Sequence, residues 1–285
     1  PCDKRRDEYI SMDVYDKIQK KVVTWTPTNA NGSFSGDSIP LKSAFAKSIN
    51  SVAVRLGQEM GINRIIATAE KMGIKSPLDD TPSLALGSSD VQLLELTNAY
   101  CTVANNGMHH DPTIITKIVD KDGKTVYENN TEAEQVIPYK SAFLMQQLLL
   151  GGTHEPGGTS QSLLAAEYAG GARDTDFGGK TGTSNNHSDA WFEGVSPNLV
   201  VGAWVGGEYR SIHFRTGALG QGSRTALPIV GLFLHYVMDA PEFQKYHGRF
   251  KKPTADDGIT SDMYVCQSYQ PRVVRDTTRV DSSRV

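Results

Sequence analysis

The densest chemistry in the sequence lies in Gly179-Lys180-Thr181-Gly182-Thr183-Ser184, where a cation, three hydroxyls and two glycines fall within six residues. On an extended backbone such a run offers a positive charge to a carboxylate, hydroxyl donors beside it, and a glycine where a substrate backbone can come close. The same residues also suit a glycine-rich turn with a solvated lysine, and Lys-Thr-Gly alone does not separate the two. A phosphate-binding loop is disfavoured. It needs a glycine, four intervening residues and then Gly-Lys-Ser/Thr, and the place of that first glycine is held by Asp174, whose charge repels phosphate.

A second group is Ser48-Ile49-Asn50, set in an apolar stretch that otherwise reads as helix. Serine and asparagine are mediocre helix formers because their side chains compete for backbone hydrogen bonds. Two apart and flanked by Ala46 and Val52, they either do chemistry or simply face solvent and bond back to the helix. Ser43 and Lys47 read as one helix face. His109-His110-Asp111 has no spaced partner of the HExxH kind, so no metal is expected, and His187, His213, His235 and His247 are isolated.

These residues need elements to hold them. Ala44, Phe45, Ile49, Val52, Ala53 and Leu56 recur at helical spacing and predict one helix from Leu41 that ends at Gly57 or Gly61. A second helix is expected over 62–72, stopped by Gly73. A third follows Ser89-Asp90, with Ser89 as its cap, and runs to Gly107. Residues 113–128 read as a hairpin about Asp122-Gly123, and 140–150 as a further helix. The runs 179–184, 190–195 and 199–205 read as strands, the last two joined by Ser196-Pro197-Asn198. An apolar helix over 226–238 closes the series. Residues 1–40 are polar and turn-rich, and those beyond Phe250 are polar and weakly patterned. Helices first, then antiparallel strands closed by a helix, predict an α+β fold.

Composition sets the bounds. The 285 residues carry 29 Lys+Arg against 32 Asp+Glu, a net charge of −3, and are 38% hydrophobic and 21% charged. That is a folded chain rather than a disordered one, and it lacks the basic balance of a nucleic-acid binder. No apolar run approaches the roughly 20 residues of a membrane span. Cys2, Cys101 and Cys266 form no CxxC pair, so structural zinc and a disulfide scaffold are not expected.

Taken together, the motifs resemble the transpeptidase domain of class A, bifunctional penicillin-binding proteins. That superfamily carries S-x-x-K, an S-D-N-type motif and K-T-G in order. Here Ser48-Ile49-Asn50 matches the second and Lys180-Thr181-Gly182-Thr183 the third. Further blocks agree: Trp25-x-Pro27-x-Asn29, Pro82-Ser83-Leu84-Ala85-Leu86-Gly87, Ala99-Tyr100 with Ala104-Asn105-Asn106-Gly107, and Asp189-Ala190-Trp191-Phe192-Glu193-Gly194. The stretch Ser184-Asn185-Asn186-His187-Ser188-Asp189 looks like the Bacteroidetes branch. The resemblance spans residues 1–250, expected as an incomplete transpeptidase domain, with 251–285 a polar tail or peripheral segment. One departure stands out: no serine is followed three residues on by a lysine. The expectation is that this motif, its helix and the first strands of the sheet precede Pro1 in a longer protein.

The resemblance implies the penicillin-binding protein and serine β-lactamase type of fold, and a DD-transpeptidase that cross-links peptidoglycan. A serine attacks the penultimate D-alanine of a stem peptide, D-alanine leaves, and a neighbouring amine resolves the acyl-enzyme. β-Lactams mimic the D-Ala-D-Ala end. It further implies that Ser48 relays protons, Asn50 bonds the substrate amide, and Lys180 supports the relay. Thr181 and Thr183 would hold the terminal carboxylate, with Gly182 allowing approach and the Thr183 N–H in the oxyanion hole. No cofactor or metal is implied. Stem peptides, β-lactams and cell-wall synthesis partners are, with no nucleic acid. The resemblance also implies an upstream glycosyltransferase domain and a membrane anchor, with this domain in the periplasm. Without the serine, this chain alone is expected to form no acyl-enzyme. A serine β-lactamase or carboxypeptidase, a non-catalytic sensor domain and an unrelated α+β binding protein stay as alternatives.

Overall fold

The computed structural model describes residues 1–16, 19–172 and 174–270. The polar opening is not loop alone but four short strands: β1 (Lys4–Arg6), β2 (Met12–Asp16), β3 (Lys21–Trp25) and β4 (Ser38–Pro40). β1 pairs antiparallel with β4, and β2 with β3. Three helices follow, α1 (Leu41–Ala46), α2 (Asn50–Met60) and α3 (Ile62–Lys71), and then α4 (Leu93–Ala104). Next come β5 (Met108–His109), β6 (Lys117–Val119), β7 (Thr125–Glu128) and β8 (Glu134–Gln135), then α5 (Tyr139–His154). The chain then forms β9 (Gly178–Thr183), β10 (Asp189–Val195), β11 (Val200–Gly206), a short α6 (Gly217–Gly220) and α7 (Ala226–Asp239).

Two helix expectations are corrected. The single helix predicted from Leu41 is two helices, broken at 47–49, so Ser48 lies between elements and not inside one. Apolar spacing continues across the break and hides it; hydrogen bonds from distant segments, described below, enforce it. Nor does Ser89 cap α4. The helix starts after Gln92, while the Ser89 hydroxyl accepts the Asp79 N–H at 2.9 Å. The hairpin stands as β6 and β7, with Gly123 left-handed (φ +82°) and Asp120 Oδ1 accepting the N–H groups of Asp122 and Lys124.

β9, β10 and β11 form one antiparallel sheet in the order β11-β10-β9. Alternation along the strands feeds two cores. On one face Phe192 and Ala203 pack with Phe177, Leu163 and the apolar side of α7, chiefly Leu227, Val230 and Leu234. On the other, Val195 packs with Val103 of α4, Leu149 of α5 and Phe250. The α5 helix rests on the backbone of β9. A Cβ on Gly178 would stand 2.7 Å from the Leu149 carbonyl carbon, and one on Gly152 would collide with the Gly179 oxygen. This close approach accounts for glycine at both places.

The stretch beyond Phe250 returns across the amino-terminal segment. Cys2 and Cys266 form a disulfide with Cα atoms 5.1 Å apart, so the chain holds one bridge where spacing suggested none. Tyr264 packs edge-on against Phe143, and Tyr269 donates its hydroxyl to Asp37 and its N–H to Ser43 Oγ. Residues 271–285 of the expected tail lie outside the described residues.

Candidate active site

Ser48 closes α1. Its N–H donates to the Phe45 carbonyl (3.1 Å) and the Ile49 N–H to that of Ala44 (2.9 Å). In this paired ending the residue just past the cap turns left-handed, and glycine usually occupies it. Ser48 does so with a side chain, at φ +55°. For an L-residue that conformation costs about 1–2 kcal/mol, and it persists only where neighbours dictate it.

The neighbours are on both sides of the break. Before it, the Thr159 N–H donates to the Ala46 carbonyl at 2.9 Å. After it, α2 begins with Asn50, whose amide donates to the Thr28 carbonyl (2.7 Å). The Ser51 N–H is taken by Asn29 Oδ1 at 3.1 Å. Asn29 is in turn fixed by Asp7, which accepts from Asn29 Nδ2 and Ser51 Oγ, both at 2.7 Å, and from the Ser35 N–H at 2.8 Å. Burial pushes the Asp7 carboxyl up, but these hydrogen bonds outweigh it and hold the group below the usual carboxylate range. The Trp25-x-Pro27-x-Asn29 block thus has a physical role, because Asn29 supplies the capping acceptor for α2.

β9 brings the second motif to this turn. Lys180 Nζ donates to Ser48 Oγ at 3.0 Å and to the Thr181 carbonyl at 2.7 Å. The Phe45 ring lies 5.8 Å from the ammonium. Burial lowers Lys180 to about 8, because the charged form has lost its water without gaining a carboxylate. A hydrogen bond from Lys180 into the Ser48 oxygen leaves the serine's own hydrogen free to donate. That pair can pass a proton near neutral pH.

Further along the strand, Thr181 Oγ1 donates to Thr159 Oγ1 at 2.7 Å, and Thr183 Oγ1 accepts the Gly222 N–H at 3.1 Å. Gly182 sits opposite Trp191 in the ladder, where a Cβ would come within 3.1 Å of the Trp191 Cβ. Its missing side chain serves the sheet as well as any ligand. The structure therefore brings Ser48, Lys180, Thr181 and Thr183 to one edge of the sheet, while the Asn50 amide is engaged by Thr28 on the flank. Sequence reasoning passed over Thr159, Asp7 and Ser51; only Asn29 had been marked, as part of a block.

The remaining candidates serve elsewhere. Ser43 donates to Glu155 at 2.7 Å and Lys47 to the Tyr269 carbonyl at 3.3 Å, both packing contacts of α1. His109 Nδ1 lies 3.0 Å from Thr102 Oγ1, and both ring nitrogens of His110 are engaged by carbonyls, Asp111 and Thr131. No helix among the described residues is long and apolar enough to cross a membrane.

Residues 7–202 match the family described as the penicillin binding protein transpeptidase domain, a span that includes Ser48 and Lys180. The chain is 35% identical over 206 residues to penicillin-binding protein 1A of Clostridium acetobutylicum, covering 71% of this chain and 24% of that one. It also resembles the crystal structure of penicillin-binding protein 1A from Haemophilus influenzae, with a TM-score of 0.73 and 26% identity, covering 88% of this chain and 40% of the other. The PonA1 protein of Mycobacterium tuberculosis, solved in complex with penicillin V, shares the fold at a TM-score of 0.63 and 23% identity, covering 82% and 64%. The chain spans about a quarter of the length of the curated relatives it matches.

Proposed function

Because this chain belongs to the family of penicillin-binding protein transpeptidase domains, we propose that it forms the Lys-Thr-Gly side of a DD-transpeptidase site in a class A, bifunctional peptidoglycan synthase. Its substrates are stem peptides ending in D-Ala-D-Ala, and β-lactams occupy the same site. The observation that carries this reading is the 3.0 Å hydrogen bond from Lys180 to Ser48, which joins two motifs 132 residues apart. With its own hydrogen free, Ser48 hands a proton to the departing D-alanine amine, and Lys180 restores it. The positive end of Lys180 and the hydroxyl edge of β9 favour the substrate's terminal carboxylate. The Thr183 N–H stabilises the developing oxyanion, and Asn50 turns from Thr28 to the substrate amide.

The reading calls for a nucleophilic serine beside Ser48 and Lys180. None of the 285 residues is a serine three before a lysine, so acyl-enzyme formation is expected only in a form of the protein that also contains that motif. In the full reading the domain works in the periplasm with a glycosyltransferase domain, a membrane anchor and other cell-wall synthesis proteins. The Cys2–Cys266 disulfide supports an oxidising compartment.

The test is to express the complete reading frame, expose it to a fluorescent penicillin, and locate the adduct by peptide mass. Label on a serine of an S-x-x-K motif, lost in Lys180→Ala and Ser48→Ala, is the expected result. A folded protein that takes no label refutes the enzyme reading and leaves a non-catalytic binding domain. Rapid turnover of penicillin would point instead to a β-lactamase.

A further inference from the structure

The helix that presents Ser48, α1, is only six residues long. Isolated helices shorter than about 12–15 residues are marginal in water, so the bearing of α1 is set from outside. Its first turn is held by the amino-terminal residues. The Leu41 N–H donates to the Asp3 carbonyl at 2.8 Å, and the Lys42 N–H to that of Pro1 at 2.9 Å. Its flank and its end are held by the returning carboxy-terminal strap at Tyr269, which lies outside the residues 7–202 matched to the family.

Three contacts from this one residue span the helix. The Tyr269 N–H donates to Ser43 Oγ at 3.1 Å, its carbonyl accepts from Lys47 Nζ at 3.3 Å, and its ring centroid lies 4.8 Å from the same ammonium. Burial has taken water from that ammonium, and a desolvated cation gains more from an aromatic face. The strap is itself fixed. Tyr269 donates its hydroxyl to Asp37 at 2.8 Å, and Ser268 donates to Glu155 at 3.1 Å, where Glu155 also takes the Ser43 hydroxyl at 2.7 Å. The Cys2–Cys266 bond then ties the strap to the segment that holds the first turn.

Lys47 is the residue before Ser48. Thr159 holds the backbone ahead of it and Asn29 the backbone beyond the break, but the side chain of Lys47 is anchored by the strap. Lys180 thus holds the Ser48 oxygen, while Lys47, through Tyr269, holds the chain that presents it.

We propose that Tyr269 is a positioning residue of this site: by fixing Ser43 and Lys47 it sets the end of α1 so that Ser48 Oγ meets Lys180. The proposal rests on the function proposed above.

The experiment follows acylation by benzylpenicillin of the protein from its complete reading frame. Stopped-flow measurement separates the binding constant from the acylation step, at a temperature where circular dichroism shows the variants folded. A displaced catalytic group predicts that Tyr269→Ala slows the acylation step by about 10- to 100-fold, with the binding constant unchanged. Lys47→Met, which leaves Tyr269 on Ser43 and Asp37, slows the same step. The double variant is no slower than the slower single one, because both act through one contact. Tyr269→Phe keeps the ring and recovers most of the rate. An acylation step unchanged in either single variant overturns the proposal and leaves the enzyme reading standing. Losses of equal size in binding and acylation also overturn it, since that is general damage to the fold. If Tyr269→Ala does not fold, Lys47→Met decides alone by the same two criteria. If the unaltered protein takes no penicillin, the enzyme reading fails and this one falls with it.

Discussion

Glu193 and Lys180 face one another across the ladder of β9 and β10, and burial drives both toward their neutral forms. Their ends turn to different partners: Lys180 to Ser48, and Glu193 to the Thr97 hydroxyl, at 3.1 Å. Glu193 is 2% exposed, and its Oε2 has no hydrogen-bond partner among the described residues. An ionised carboxylate would be costly in such a place. Burial raises Glu193 to about 8, and the Thr97 hydrogen bond offsets only part of that. Tyr100 and Cys101 of α4 are both raised by burial and then by the charge of Glu193. It is the burial of Glu193, with one oxygen unpartnered among the described residues, that favours its neutral form on this face of the sheet.

This has a measurable consequence for stability. In the unfolded chain Glu193 gives up its proton near its ordinary pKa of 4.5, while in the folded chain it keeps it to about 8. Between those values the folded state binds more protons, so stability falls as pH rises and then levels off. Glu193→Gln removes that slope. Urea denaturation at pH 5, 7 and 9 should show the variant gaining steadily on the unaltered protein, by about 1.4 kcal/mol for each pH unit climbed between the two values. Parallel curves for the two proteins would show that Glu193 is ionised in the fold.

The left-handed serine makes a second case. Ser48→Gly relieves the conformation at φ +55° and should raise stability by about 1 kcal/mol. It also removes the oxygen that Lys180 holds, so penicillin acylation of the complete protein should drop sharply. A variant both more stable and less reactive is the expected outcome in paired melting and labelling assays. Loss of stability in Ser48→Gly would mean that the hydroxyl contributes more than the turn costs.

Asp7 carries a network rather than a reaction. Asp7→Ala leaves the buried Ser51 hydroxyl and one hydrogen of the Asn29 amide without an acceptor, the other staying on the Ser33 carbonyl, and frees the exposed Ser35 N–H. Unsatisfied buried donors cost about 1–3 kcal/mol each, so a loss of about 3 kcal/mol or more is expected by chemical denaturation. Because the folded carboxyl sits below its ordinary pKa, its share of stability is complete above about pH 4 and is lost as pH falls through the folded value. The acid limb of the stability curve should therefore flatten in Asp7→Asn.

Reducing the Cys2–Cys266 bond, or making Cys266→Ser, should lower stability by about 2–5 kcal/mol, the range for a bridge that closes a long loop. A denaturation midpoint that ignores reductant would show that the bridge adds nothing the packing of Tyr264 and Tyr269 does not already supply.

Strong local patterns were readable and long-range restraints were not. The strands β10 and β11 and the helix α7 carry dense apolar and β-branched residues, and they stand where the sequence put them. The Lys-Thr-Gly strand was legible because its residue types do chemistry. The break at Ser48 was not, since the apolar spacing runs through it and the bonds that force it come from Thr159 and Asn29. The strands before Pro40 are short and mostly exposed, so they leave almost no periodic trace. Cys2 and Cys266 lie 264 positions apart, and no spacing rule reaches that far.

That same bridge makes the folded chain a closed ring from residue 2 to residue 266. Exposed loop tips are where proteases cut first, and the solvent-facing tip between β6 and β7 is such a place. A cut there does not free a fragment. The two pieces stay covalently tied and noncovalently packed, and they separate on a gel only after a thiol is added. A nicked molecule can therefore pass for an intact one by size, with its Ser48–Lys180 contact still in place.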